Sequence, residues 1–256
     1  MPDEQVHPEA RGAPTRHIVA MGGGGFSEEP ENPLLDDFVL ALAAERAAAF
    51  GRTRPRVCLV PTASGDDPVL VRDFYDAFAR SSDATWLPLF DRAGRDPREV
   101  LLDQDAIYVG GGNTANMLAV WRLHGVDVAL RDAWERGIVL AGLSAGSLCW
   151  FAGGITDSFG AGLMRLEDGL GLLGMTNCPH YDAQPLRRPT YQREVADGLP
   201  GGFAADDGAA LHFVGTELAE VVTSRPDAGA YCVELVDGAI VETRLPSRYL
   251  GGVGRA

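Results

Sequence analysis

The sequence predicts an α/β fold in which a mostly parallel, doubly wound sheet is covered by helices on both faces, giving three layers. Short apolar runs at 18–21, 57–60 and 106–109 alternate with helix-like segments, which is the pattern of a parallel sheet with crossover helices. Later in the chain, short β-like runs separated by turns replace this alternation. We therefore expect antiparallel strands toward the C-terminal edge of the sheet.

Local signals mark the first predicted helices. In the first helix Asn32 is the expected N-cap, Pro33 the first helical residue and Gly51 the stop, because proline suits the first turn and glycine the residue after a helix. Two further helices are predicted at 68–80 and 126–136.

The last part of the chain predicts a β-hairpin. Asp237 and Gly238 separate two β-like runs at 230–236 and 239–243, and an Asp-Gly pair favours the tight turn that joins antiparallel strands. Another β-like run at 219–222 precedes them.

Length and composition predict one large domain. The chain has 256 residues, 46% of them hydrophobic, which suffices for a full core. Residues 15–256 are expected to form a single α/β domain behind a polar tail at 1–14, which lacks the apolar stretch of a secretion signal. No segment has the apolar length needed to span a bilayer.

Charge and residue usage exclude several function classes. The net charge of -14 disfavours nucleic acid and anionic membranes as partners. All 22 basic residues are arginine, so Schiff-base lysines, P-loop lysines and Ser-Lys dyads are excluded. The four cysteines stand singly, without metal-site spacing, which predicts reduced thiols in a cytoplasmic protein and no metal site.

The most informative motif is Gly-Leu-Ser-Ala-Gly at 142–146, which follows an apolar run at 137–141. A G-x-S-x-G turn between a strand and a helix exposes a nucleophilic serine at the carboxyl end of the strand. Ser144 is therefore the candidate nucleophile. Small-residue turns also join strands to helices without any catalytic role, so the motif needs partners.

Small-residue loops at 22–25, 61–65 and 110–113 also fall where strands end, and such loops line the ligand crevice of open α/β sheets. The run at 22–25 lacks the full dinucleotide fingerprint, because Ser27 stands where the third glycine belongs. A nucleotide cofactor is therefore disfavoured.

A serine nucleophile needs a base, and five histidines are available. Four of them read most simply as surface or packing residues: His7, His17, His124 and His212. His180 differs because it follows Asn-Cys-Pro at an expected strand end, where it would share a sheet edge with Ser144.

Three motifs together resemble the peptidase E family, the aspartyl dipeptidases of serine peptidase family S51, which are related to cyanophycinases. They are Gly-Gly-Gly-Asn-Thr at 110–114, Gly-Leu-Ser-Ala-Gly-Ser at 142–147 and Cys-Pro-His-Tyr-Asp at 178–182. The resemblance covers about residues 16–245. It implies a flavodoxin-like fold akin to class I glutamine amidotransferase domains, with serine in place of their cysteine.

The resemblance implies a triad in which Ser144 is the nucleophile, His180 the general base and Asp157 the acid. Glu167, Asp168 and Asp182 are rivals for the acidic position, and a turn or capping role is the alternative for Asp157. The oxyanion hole would use the N–H of Ala145 and that of Gly111 or Gly112, because glycine lets a backbone N–H approach a reacting carbonyl.

The family resemblance further implies cleavage of short peptides after an N-terminal aspartate, which requires a cation in the pocket. Arg187, Arg188 and Arg193 are the candidates, although arginines in a charged helical stretch are usually solvated. Asn113 is a candidate polar group of the pocket. Asp206 and Asp207 would either hold a free amino terminus or form an ordinary turn, and we favour the turn.

The expected function is thus a serine-type exopeptidase that acts on short peptides without a cofactor, as a monomer or homodimer. One alternative is an α/β-hydrolase esterase, which shares the order serine, acid, histidine. It fits less well, because esterases spread their triads more widely than positions 144, 157 and 180 allow. The other alternative is an inactive amidotransferase-like binding module.

Overall fold

A computed structural model describes residues 14–91 and 94–252. Most of the tail predicted at 1–14 lies outside the described residues. The helices are α1 Leu34–Ala49, α2 Pro68–Phe78, α3 Pro97–Leu102, α4 Thr114–His124, α5 Val126–Glu135, α6 Ala145–Leu148 and α7 Arg187–Ala196. The strands are β1 His17–Met21, β2 Arg56–Val60, β3 Asp83–Trp86, β4 Ala106–Val109, β5 Val139–Leu143, β6 Phe151–Thr156, β7 Met164–Leu166, β8 Leu173–Cys178, β9 Gly202–Ala205, β10 Ala209–Val214, β11 Glu217–Thr223, β12 Ala230–Val236, β13 Ala239–Arg244 and β14 Ser247–Tyr249.

The larger sheet has eight strands in the order β14-β11-β10-β1-β5-β4-β2-β3. Its five strands from β1 to β3 run parallel, and β10 and β11 add antiparallel pairs beyond β1. This confirms the predicted α/β class with a mostly parallel sheet and antiparallel strands toward one edge. The carboxyl ends of β1, β4 and β5 lie side by side, because these three strands are neighbours in the sheet.

Alternate residues of β1 show that both faces of this sheet are covered. Ile18 and Ala20 pack in a core with α3, α4 and α5, whereas Val19 and Met21 pack in a second core with α1 and α2. Side chains of successive strand residues point to opposite faces. The helices therefore lie in layers on either side of the sheet, as the alternation of strands and helices predicted.

A second sheet of six strands, in the order β13-β12-β9-β8-β6-β7, was not expected from the sequence. Strands β6, β8 and β9 run parallel in it. The predicted hairpin is present as β12 and β13, and Asp237 and Gly238 both have positive φ, 50° and 79°, as its tight turn requires. The hairpin belongs to this second sheet and not to the edge of the first.

The predicted helices at 68–80 and 126–136 correspond to α2 and α5. The start of α1 differs from the prediction by one residue, since the helix begins at Leu34 and Pro33 precedes it. Asn32 does not cap the helix, because Pro33 is the N-cap residue and no side chain caps this end. The Asn32 side-chain amide instead donates to Glu29 Oε2 at 3.0 Å and to the Ser224 carbonyl at 3.1 Å. Among the described residues, no helix has the length and apolarity needed to cross a membrane.

Candidate active site

Strand β5 ends in a sharp turn that carries Ser144 into α6. Ser144 has φ 54° and ψ -111°, a conformation that costs a non-glycine residue of the order of 1–3 kcal/mol and that concentrates at functional sites. A Cβ on Gly142 would overlap Gly146 O, and a Cβ on Gly146 would overlap Val109 O. Both glycines of the motif are therefore required for the turn to pack against β4.

The end of β1 joins three segments of the site through consecutive residues. The Ser144 N–H donates to the Met21 carbonyl at 3.2 Å, and the His180 N–H donates to the Gly22 carbonyl at 3.1 Å. Gly23 forms a β-bridge with Asp207. Three segments that are far apart in the sequence thus meet on a stretch of three residues, which brings Ser144, His180 and Asp207 to the same edge of the sheet.

His180 follows β8 and forms a close pair with Asp207, which lies between β9 and β10. Its Nδ1 is 2.6 Å from Asp207 Oδ1, and His180 as a whole residue is 8% exposed. An ionised carboxylate only accepts hydrogen bonds, so Nδ1 carries the proton of this bond, and Nε2 is the acceptor nitrogen of the neutral ring. His180 also has a positive φ of 55°. The pair therefore has the orientation of a base held by a carboxylate.

The carboxylate that contacts His180 belongs to Asp207, whereas Asp157, which the sequence predicted for this position, does not reach the imidazole. The side chain of Asp157 is 61% exposed and its Oδ1 lies 3.8 Å from Arg187 Nη2. Asp157 follows β6 in the second sheet, whereas Asp207 is bridged to the end of β1. Only the latter placement puts a carboxylate against the His180 ring.

None of the three rival acids forms a hydrogen bond with the His180 ring in the described part of the chain. Asp182 Oδ1 accepts a hydrogen bond of 2.8 Å from the Asp207 N–H, so it supports the loop that carries Asp207. Asp168 pairs with Arg122 at 2.7 Å, and Glu167 is exposed.

In the described part of the chain, neither the Ser144 hydroxyl nor His180 Nε2 makes a hydrogen bond to a protein group. Catalytic hydrogen bonds are often long in the absence of substrate and shorten when it binds. Both groups are thus available, one as a nucleophile and the other as a proton acceptor.

Backbone N–H groups flank Ser144 on two sides. A Cβ on Gly111 would lie 3.5 Å from Ser144 Cβ, so the loop after β4 runs beside the serine. Within residues 14–91 and 94–252, the N–H groups of Gly111, Gly112 and Ala145 donate to no protein acceptor. Unused donors beside a nucleophile are what an oxyanion hole needs.

Asn113, which was expected in the substrate pocket, has a structural role. Its Oδ1 caps α4 by accepting from the Asn116 N–H at 2.8 Å, and its Nδ2 donates to the Ser158 carbonyl at 3.0 Å. The Asn113 side chain thus fixes the start of α4 to the loop that follows β6.

The three candidate arginines differ in environment. Arg187 is buried, donating to the Ile155 carbonyl and to Gln184 Oε1, both at 2.8 Å. Arg188 is exposed, pairs with Glu242 and stacks over Tyr181. Arg193 is exposed and pairs with its neighbour Glu194 at 2.9 Å. Arg187 alone has a sheltered position near the ends of β6 and β8.

A further carboxylate, Glu28, lies beside the His180–Asp207 pair. One ligand atom from each of Glu28, His180 and Asp207 lies within 4.8 Å of the other two. The 2.6 Å separation of His180 Nδ1 and Asp207 Oδ1 is too short for an intervening Zn²⁺, whose ligand atoms stand roughly 3.3 Å apart. We therefore interpret the cluster as a charge network around the imidazole.

Carboxylates dominate the electrostatics of this region. Burial, together with the nearby Asp182, raises the pKa of Asp206 to about 6. Asp206 Oδ2 accepts hydrogen bonds from the Gly229 N–H at 3.0 Å and the Tyr231 hydroxyl at 3.3 Å. Asp206 therefore holds the neighbouring strands together, while Asp207 faces the histidine.

From the sequence, a turn was favoured for Asp207, Glu28 was not considered, and the glycine run at 22–25 was expected to line the crevice without any link to His180. A Cβ on Gly23 would overlap Asp207 Oδ1 and would lie 2.8 Å from His180 Nδ1. The glycine run therefore serves the His180–Asp207 pair. Its position directly after an apolar strand was the available signal, because that is where the ends of parallel strands meet.

Known proteins show the same family and fold. The sequence profile of peptidase family S51 matches residues 18–221. The uncharacterized peptidase YgaJ of Bacillus subtilis strain 168 is 44% identical over 238 residues, which cover 92% of this chain and 100% of that protein.

Two solved structures share the fold. A peptidase from an acI-B1 Actinobacterium has a TM-score of 0.72 and 21% identity, covering 93% of this chain and 96% of that chain. A putative peptidase E protein from Listeria monocytogenes EGD-e has a TM-score of 0.56 and 18% identity, covering 91% of this chain and 100% of that chain. At these identities the likeness concerns the fold alone.

Proposed function

This chain belongs to peptidase family S51 and is a peptidase, and we propose that it is a serine-type exopeptidase with Ser144, His180 and Asp207 as its triad. One observation carries the proposal. A serine in a strained turn shares the end of β1 with an imidazole whose Nδ1 lies 2.6 Å from a carboxylate. A nucleophile, a base and an orienting acid are the parts that acyl transfer requires.

In the proposed reaction, Ser144 Oγ attacks the carbonyl carbon of the scissile peptide bond while His180 Nε2 accepts the hydroxyl proton. Asp207 keeps the Nδ1–H tautomer in place and stabilises the imidazolium that forms. His180 then gives its proton to the leaving amine. The products of this half-reaction are the released amine and an ester between Ser144 and the amino-terminal part of the substrate.

Water completes the cycle. His180 removes a proton from a water molecule, whose oxygen attacks the ester, and the proton returns to Ser144 as the ester bond breaks. The N–H groups of Ala145 and of Gly111 or Gly112 stabilise the negative oxygen in both half-reactions, and losing one such donor typically costs about 10²–10³ in kcat. No cofactor takes part in these steps.

The charge around the base supports a substrate with a free amino terminus. Glu28, Asp182 and Asp207 surround the imidazole region with negative charge, and negative potential favours an ammonium group. We further propose a preference for an N-terminal aspartate, with Arg187 as the cation that binds the substrate carboxylate, because Arg187 is the buried one of the three candidate arginines.

The function is tested by assaying the purified protein on Asp-Ala, Ala-Ala, N-acetyl-Asp-Ala and p-nitrophenyl acetate, alongside Ser144→Ala. We expect cleavage of the free dipeptides, with Asp-Ala preferred, and a loss in turnover of about 10⁶ for the variant, as for other serine triads.

Three results would count against the proposal. Equal activity of the wild type and Ser144→Ala would remove the serine mechanism. Activity on the ester but on none of the peptides would favour an esterase, and no hydrolysis of any substrate would favour a binding module. Equal cleavage of the free and the acetylated dipeptide would exclude recognition of the amino terminus.

A further inference from the structure

Glu28 stands in the loop between β1 and α1, which holds it in a fixed position. The N–H groups of Glu28 and Glu29 both donate to the Gly25 carbonyl, at 3.2 and 2.8 Å. The Glu28 side chain then folds back, and its Oε2 accepts a hydrogen bond of 2.6 Å from the Gly24 N–H. The carboxylate is therefore aimed at the same glycine run that supports the triad.

This loop brings a carboxylate oxygen of Glu28 within 4.8 Å of a ring nitrogen of His180 and of a carboxylate oxygen of Asp207. The pKa of Glu28 is raised mainly because its carboxylate is partly buried, even though the residue as a whole is exposed. The negative charge of Asp207 raises this pKa further. The Gly24 N–H and the imidazole of His180 act in the opposite direction, because they favour the ionised carboxylate.

Building on the proposed function, we propose that Glu28 is a positioning residue that stabilises the imidazolium form of His180 during peptide hydrolysis. The base gains a positive charge in each half-reaction, and Asp207 offers one carboxylate to it. Glu28 offers a second carboxylate that needs no movement to interact with the developing charge, because the Gly24 N–H already fixes it.

The other charged groups near this network are compensated or more remote. Glu29 pairs with Arg225, which comes from the loop between β11 and β12. Asp182 accepts from the Asp207 N–H, and Asp206 is bound to Gly229 and Tyr231. Among the described residues, Asp207 and Glu28 are therefore the two carboxylates that cluster with the imidazole of His180.

The size of the effect follows from Coulomb's law. Two unit charges 4.8 Å apart in a medium as polar as water shift a pKa by about 0.6 unit. Removing the charge of Glu28 should lower the pKa of His180 by about that amount at low ionic strength. The shift should fall to roughly half at 0.15 M salt, where the Debye length is about 8 Å.

The test uses Glu28→Gln, because glutamine keeps an oxygen that accepts from the Gly24 N–H while losing the charge. Glu31→Gln is the matched control, since Glu31 is an exposed glutamate of the same loop. The acid limb of kcat/KM should move about 0.6 unit to lower pH in Glu28→Gln, and the plateau should fall up to about fourfold at unchanged KM. Glu31→Gln should show neither change.

A second readout does not depend on activity. The titration of the His180 ring is followed by NMR in the Ser144→Ala protein with and without Glu28→Gln, and His180→Gln assigns the resonance. We expect the same salt-sensitive decrease in the pKa of His180.

If no peptide is cleaved, the proposed function fails, but this titration still decides the role of Glu28. An unchanged titration, an equal shift in Glu31→Gln, or a rise in KM with an unmoved acid limb would overturn the proposal.

Discussion

Replacing Gly23 by alanine tests whether the glycine run after β1 exists to admit the His180–Asp207 pair. Gly23 does not have a positive φ, so alanine can adopt its backbone conformation, and the effect of the substitution is steric. The new Cβ would overlap Asp207 Oδ1 and would lie 2.8 Å from His180 Nδ1, where ordinary contacts begin at 3.4 Å.

The magnitude follows from these contacts. The imidazole and the carboxylate must separate or shift by roughly 1 Å, and a misplacement of that size costs about 10² in rate. If the hydrogen bond is lost outright, the loss approaches the 10⁴ or so that follows removal of the orienting carboxylate in serine triads. Overpacking should lower the free energy of unfolding by about 1–3 kcal/mol.

The assay is kcat/KM on whichever dipeptide the wild type hydrolyses, with urea unfolding of the same preparations. Gly174→Ala is the matched control, because a Cβ there meets nothing within 4 Å. We expect Gly23→Ala to lose at least about 10² in kcat/KM while remaining folded, and Gly174→Ala to stay near the wild type. A folded Gly23→Ala protein with full activity would refute the packing argument.

Three further predictions follow from the strained serine, a buried acid and a buried arginine. Ser144→Gly and Ser144→Ala should both be inactive, but the glycine variant should be more stable by about 1 kcal/mol in urea unfolding, because glycine adopts a φ of 54° without strain. Burial raises the pKa of Asp36 to about 7. The protonated Asp36 carboxyl group therefore stabilises the folded state at low pH. This stabilisation is lost as the pH rises from the pKa of Asp36 in the unfolded chain to its pKa of about 7 in the folded protein. Asp36→Asn should therefore gain about 2–3 kcal/mol relative to the wild type between pH 5 and 8, and a difference that is the same at pH 5 and at pH 8 would contradict this. Arg187→Lys should lose about tenfold in kcat/KM for Asp-Ala and little for Ala-Ala, because lysine lacks the bidentate fork; equal losses would indicate a structural role.

The sequence was most informative where the signal is local. Ser144 is marked by five consecutive residues and the apolar strand before them, so its turn could be predicted without knowledge of the topology. The parallel part of the larger sheet was also predictable, because the alternation of apolar runs and helices defines it.

The acid partner could not be found in this way. His180 and Asp207 are 27 residues apart, and they meet because β8 and β9 are neighbours in a second sheet that the sequence did not indicate. Asp157 is closer to Ser144 in the sequence. However, it follows the end of β6, where its side chain lies beside Arg187 and not beside His180. Glu28 was hidden for a similar reason, since only the folding of a loop brings it back toward the histidine.

The central claim is that Asp207 orients the base, and the kinetics of two isosteric variants test it most directly. In Asp207→Asn the amide can donate to Nδ1 and hold the wrong tautomer, so kcat should fall by about 10⁴. Asp157→Asn removes the same charge from an exposed side chain and should change kcat by less than about threefold. A large loss in Asp157→Asn together with an active Asp207→Asn would contradict the account.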